Sequence, residues 1–178
     1  MSPTLTTEQY ILYILNRLQP EKSDLRMLNK IAFLVEFAYL YFKEKEISKA
    51  KYAAIDNGPV IDGYKLILDG MEKKGLIKLD GYKVRIVDSK EIDVSKELDD
   101  FASPLIAKYS QMNSNELRAL THSMDSYLIT TKNEKIMGKR IDKDLAALET
   151  IFEPEEAGIS PEVDLPLVDF RKLVPYEL

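Results

Sequence analysis

Thr6-Thr7-Glu8-Gln9 leads into Tyr10, Ile11, Ile14, Leu15 and Leu18, which recur at helical spacing before Pro20. Thr6 followed three residues later by Gln9 is a capping-box signature, so a first helix is predicted from Thr7 to Leu18. Ser23 or Asp24 then caps a longer helix whose apolar positions, from Leu25 through Leu28, Ile31, Leu34, Val35, Phe37 and Ala38 to Tyr41, cover most of its circumference. Such a helix is buried on several sides and is expected at the centre of the fold. Its charged end, Lys43-Glu44-Lys45-Glu46, reads as a solvated last turn.

Tyr52 to Ile55 is a short strand by pattern. Asn57-Gly58-Pro59 follows: Asn-Gly favours positive φ, and Pro suits the first position of a helix, so a helix is predicted to open at Pro59. Val60, Tyr64, Leu66, Ile67, Leu68 and Met71 continue it, and Gly75 supplies the stop. Leu76–Leu79 and Tyr82–Val87 alternate apolar with polar around Asp80-Gly81, which predicts a hairpin with a type I′ turn. Residues 88–100, rich in acids, cross the surface into another helix that starts or kinks near Pro104. Ser114 caps a short helix ending at His122. Residues 123–140 give no clear pattern, with Thr130–Asn133 loop-like, and Asp142 opens a last amphipathic helix through Ile151.

The fold class expected from this order is mainly α, formally α+β. It is a helical domain with a central buried helix and a small antiparallel hairpin or short sheet, winged-helix-like in outline. From Glu153 the composition changes: four of the eight prolines fall in residues 153–178, together with seven acids against Arg171 and Lys172. That segment therefore accounts for the whole net charge of −5, and residues 1–152 are neutral as a set. Two units follow, a body over 1–152 and an acidic, proline-rich arm over 153–178. Leu167 and Phe170 make the arm too apolar for a pure spacer, so it is expected to dock on its own body, a twin chain or a partner.

Composition narrows the function. A hydrophobic fraction of 45% with 31% charged residues is that of a soluble globular protein, with no run long enough to span a bilayer and no leader segment, so the cytoplasm is expected. With no cysteine and one histidine, thiolate zinc sites and cysteine nucleophiles are excluded. His122 has Ser123 and Asp125 as sequence neighbours, but a triad needs its groups aimed at one point, and no nucleophile-elbow pattern occurs. A structural hydrogen-bonding histidine is the expectation. The acids do not follow the spacing of a calcium loop, and Gly58, Gly63 and Gly70 do not form a phosphate-binding fingerprint. No enzyme, cofactor or metal is expected.

A second class remains open. Residues 71–87 carry Lys73, Lys74, Lys78, Lys83 and Arg85 against Glu72 and Asp80, and a helix followed by a basic hairpin is the outline of a DNA-contacting wing. The preceding helix offers no base-reading face, so nucleic-acid binding is the lesser expectation.

Three stretches carry a resemblance. Leu28-Asn29-Lys30-Ile31-Ala32-Phe33-Leu34, then Asn57-Gly58-Pro59-Val60 with Tyr64 a turn later, then Glu116-Leu117-Arg118-Ala119-Leu120-Thr121-His122 together resemble the Panacea domain, the SocA-like antitoxin domain of bacteria and phages, over roughly residues 7–150. The resemblance implies a mostly helical domain that neutralises a cognate toxin by direct contact. As a further partner it implies a protease or chaperone to which the toxin could be handed. It implies no catalytic residue and no cofactor. The partner-binding residues to examine are then Asp56, Asn57, Gly58, Pro59, Tyr64 and His122, with Leu167 and Phe170 of the arm, which could also pair two copies of the chain.

Overall fold

The computed structural model describes residues 4–153, so the arm and its Leu167 and Phe170 lie outside the described residues. Helix α1 (Thr7–Leu15) opens on the expected capping box, with Gln9 N–H donating to Thr6 Oγ1 at 3.2 Å and Thr6 N–H to Gln9 Oε1 at 2.9 Å. It stops at Leu15, a turn before the predicted end. Leu18 still reaches the core from the connection that follows, through amide bonds back to the Ile14 and Leu15 carbonyls.

Helix α2 (Leu25–Lys43) starts at Asp24, whose Oδ1 accepts the Arg26 and Met27 amides at 2.9 Å each. Every residue from Met27 to Tyr39 is buried, because α1, two later helices (Lys96–Ser110 and Ser114–His122) and a sheet all pack around it. Tyr10 and Tyr52 both donate their hydroxyls to the Ala32 carbonyl, at 2.9 and 3.1 Å, pinning α1 and the sheet to the middle of α2.

The sheet corrects the largest expectation. Pro59 opens no helix. Tyr52–Ile55 (β1) and Gly58–Ile61 (β2) form an antiparallel hairpin around Asp56-Asn57, and helix α3 (Tyr64–Lys73) begins only after Gly63. Lys139–Ile141 (β5), from a stretch without a sequence pattern, adds on the other side of β1, giving the order β2-β1-β5. β2 is therefore an edge strand, the place in a sheet that tolerates proline. Asp62 N–H donates to the Lys51 carbonyl at 2.8 Å. Counting back by alternation, the missing N–H of Pro59 and the N–H of Ile61 both face away from β1. Pro59 leaves nothing to satisfy there, and Ile61 donates to Asn29 Oδ1 on α2 at 2.8 Å.

After α3, Gly75 takes φ +73° as the expected helix stop. The second hairpin, β3 (Ile77–Asp80) and β4 (Lys83–Ile86), turns on Gly81-Tyr82, one residue later than predicted. Gly81 has φ +57° and Tyr82 keeps an ordinary φ, so positive φ is confined to the first turn position, as in type II′ rather than type I′. β4 is also tied to the start of α2, with Leu25 N–H on the Tyr82 carbonyl and Val84 N–H on the Ser23 carbonyl. Helix α4 (Lys96–Ser110) is capped by Ser95 and carries Pro104 in its interior rather than at its start. Helix α5 (Ser114–His122) ends where expected but is capped by Asn113, in a capping box with Glu116. Residues called loop-like around Thr130 belong partly to helix α6 (Asp125–Thr131). The predicted last helix is instead two 3₁₀ segments, Lys143–Leu148 and Thr150–Phe152. The whole is α+β around a central buried helix.

Candidate functional site

The three sequence stretches meet at one place, the β1–β2 turn. Three successive carbonyls of that turn are each taken by a different side chain. Tyr127 Oη on α6 donates to Ile55 at 2.9 Å, Arg118 Nη2 on α5 to Asp56 at 3.2 Å, and Lys30 Nζ on α2 to Asn57 at 2.7 Å. Asn29, one residue before Lys30, holds the returning strand at Ile61, and its amide orientation is fixed because Nδ2 donates to the Leu25 carbonyl at 2.8 Å. Two tight residues cannot satisfy their own turn, so neighbouring helices do.

Gly58 is the contact point with α5. It takes φ +97°, and a Cβ built on it would lie 3.1 Å from Thr121 Oγ1 and 3.3 Å from the His122 ring. Thr121 is itself held by the Leu117 carbonyl, so α5 does not yield easily. His122 packs against Tyr127 with ring centroids 4.7 Å apart and planes tilted by 42°, and its Nδ1 meets Glu134 Oε1 at 2.5 Å. Burial lowers the proton affinity of His122 from its ordinary value, Glu134 opposes this, and Arg118 and Lys30 reinforce it. The neutral ring thus donates from Nδ1 to Glu134, and among the described residues its buried Nε2 has no hydrogen-bond partner. Glu134 is brought into place by Lys132, Asn133 and Glu134 itself, all at positive φ between 50° and 64°. Such a run of non-glycine residues stores backbone strain that the surrounding contacts must hold.

Lys30 is 4% exposed, and desolvation, then Arg118 and Arg26, lower its pKa to about 8. At the surface above it Asp56, Asn57, Arg118 and Glu134 are exposed. Of the residues predicted for a contact, Asp56 and Asn57 face solvent and His122 is half-buried beneath them. Gly58 and Pro59 are buried and shape the turn from inside. Tyr64 packs partly on the core at the start of α3, and none of the hydrogen bonds of the turn reaches it. Sequence reasoning passed over Lys30, Arg118, Tyr127 and Glu134 as site residues. The available signal was Asn29-Lys30, two polar residues inside an otherwise apolar helical run.

The basic hairpin is a separate surface. Lys74 pairs with Glu8 at 2.7 Å, Lys83 donates to the Glu21 carbonyl at 2.7 Å and Arg85 lies 3.9 Å from Asp80, while Lys73 and Lys78 are exposed. An open cleft of about 480 Å³, lined in part by Lys49, Lys51, Arg140 and Lys143, includes no residue of the three stretches.

The fold and the site define a small α+β domain organised around a helix-clamped turn. The chain belongs to the antitoxin SocA-like, Panacea domain family, whose model matches residues 28–126, more than half of the 178. The match begins on the α2 stretch and runs just past the α5 stretch, so it contains all three stretches that meet at the turn. Searches of curated proteins and of solved structures find no match. Among the described residues, no helix is long and apolar enough to cross a membrane.

Proposed function

We propose that the chain is the antitoxin of a cytoplasmic toxin–antitoxin pair and neutralises its toxin by direct contact, without chemistry of its own. The contact surface is the β1–β2 turn with the exposed ends of α5 and the segment after α6. One observation carries the reading: the three stretches, all inside the matched region, converge on this turn, where Lys30, Arg118 and Tyr127 hold its carbonyls while Asp56 and Asn57 face solvent. A turn pre-ordered in this way loses little entropy on association. A body of this size can supply one side of a standard interface of about 1,600 Å².

The test is to express the neighbouring reading frame with and without this chain. Growth arrest by the neighbour alone, relieved by co-expression, is expected, and a neighbour harmless alone removes the basis of the reading. Masking and delivery to a protease differ in toxin level: masking leaves the relieved cells full of toxin, whereas delivery depletes it.

A further inference from the structure

We propose that Lys30 and Arg118 form a receptor for a carboxylate of the toxin, with Arg118 making the contact at the surface and Lys30 acting as a fixed charge beneath it. This rests on the antitoxin reading and adds to it the chemistry of the partner at this spot. The two cations come from different helices, α2 and α5, and are brought together because they hold adjacent carbonyls of the β1–β2 turn.

Among the described residues neither cation is closely paired with an acid, and Asp24 supports the Lys30 charge only through space. A buried ammonium is costly unless a carboxylate accompanies it. Lys143, also well covered, follows that rule, with Glu36 at 3.0 Å and Glu46 at 3.5 Å. Lys30, more buried still, bonds a neutral carbonyl, and among the described residues no carboxylate lies within ion-pair distance of it or of Arg118. Asp24, which caps α2, favours the Lys30 charge from a distance, and Glu134 bonds His122. Arg26 and Arg118 both act unfavourably on the Lys30 charge, which an arriving carboxylate would relieve.

The acceptor chemistry follows from the donors. Arg118 is exposed and uses one of its five N–H groups on the Asp56 carbonyl, so its guanidinium edge is open to a planar, bidentate acceptor. Asp56, Glu116 and Glu134 are exposed as well, and a chain of phosphates would meet more repulsion from them than a single carboxylate does. A protein side chain is therefore favoured over nucleic acid.

The experiment titrates purified toxin, the product of the neighbouring reading frame, into the purified chain. Arg118→Glu is expected to weaken binding by about thirtyfold or more, as for loss of one partner from an interfacial charge pair. Its melting curve should fall only by what the loss of one exposed hydrogen bond to the Asp56 carbonyl costs. Arg118→Ala should flatten the salt dependence of the association rate, a readout that a purely structural role would not move. Lys30→Met removes the buried charge and should weaken binding in the same direction. A Glu→Lys or Asp→Lys exchange on the toxin should restore binding to Arg118→Glu. Unchanged binding by Arg118→Glu, or failure of every such exchange on the toxin to rescue it, overturns the receptor and leaves the antitoxin reading intact. A wild-type chain that does not bind the toxin overturns both.

Discussion

At Gly58 one residue meets two demands. The backbone needs φ +97°, and α5 leaves no room for a side chain between Thr121 and His122. Gly58→Ala is therefore expected to cost about 2 kcal/mol, from positive-φ strain together with a close contact. Urea unfolding measures this, and a loss under about 0.5 kcal/mol would mean that turn and helix both relax. The first demand is legible in Asn57-Gly58, since that dipeptide calls for positive φ. The second is not, because Thr121 and His122 reach the turn only through the packing of α5 against α2 and β2. The hydrogen bond expected of His122 is present, to Glu134. Its partner Glu134 is hidden, because only the left-handed run at Lys132–Glu134 carries that carboxylate back to the ring, and no glycine announces such a backbone.

Elements divide along the same line. Helices with a cap and a long apolar face, α1 and α2, can be read from local residues because cap and face lie within the same few turns. Pro59 misleads because its fixed φ suits a helix start and an edge strand equally, and the choice is made elsewhere. β5 completes the sheet from the far side of β1, and Asn29 waits on α2 for the Ile61 amide. Neither contact is local. This gives a prediction for the hairpin as an element. Asn29→Ala should leave the outward N–H of Ile61 buried and unpaired, at about 1–3 kcal/mol. Amide exchange locates the effect: Ile61 should exchange faster, while Ala53 and Val60, paired across β1–β2, change only with global stability. An Ile61 amide protected as before would show that a water or another acceptor replaces Asn29.

For the whole molecule, interior acids matter more than the surface charge that a sequence count reveals. Glu36 and Glu149 are fully buried; Glu36 stands out as the one acid in the apolar run of residues 31–42, whereas nothing in the local sequence of Glu149 separates it from the solvated acids around it. Glu36 ties α2 to the Ile47 and Ser48 amides and to Lys143. Glu149 accepts the Asp125 and Ser126 amides at 2.9 and 3.0 Å, while Asp125 Oδ2 returns bonds to Thr150, a reciprocal latch between α6 and the last 3₁₀ segment. Burial raises the Glu149 pKa from an ordinary 4.5 to about 7, against the opposing pull of its amide donors. A folded-state pKa above the unfolded one means that the native state holds the proton more tightly. Its stabilising contribution is complete below pH 4.5 and is lost as pH rises through about 7. His122 runs the other way: its lowered folded pKa adds stability as pH rises towards 6.5. Glu36, raised by burial, and Asp99, lowered, add to the profile as well, so the informative measurement is a difference. Glu149→Gln should lower stability at acid pH, since an amide cannot accept both N–H groups. Across pH 4.5–7, however, it should lose a slope worth on the order of 3 kcal/mol relative to wild type. Parallel unfolding curves for the two proteins over that window would place the latch outside the titrating groups, with Glu149 ionised throughout and held by its amides alone.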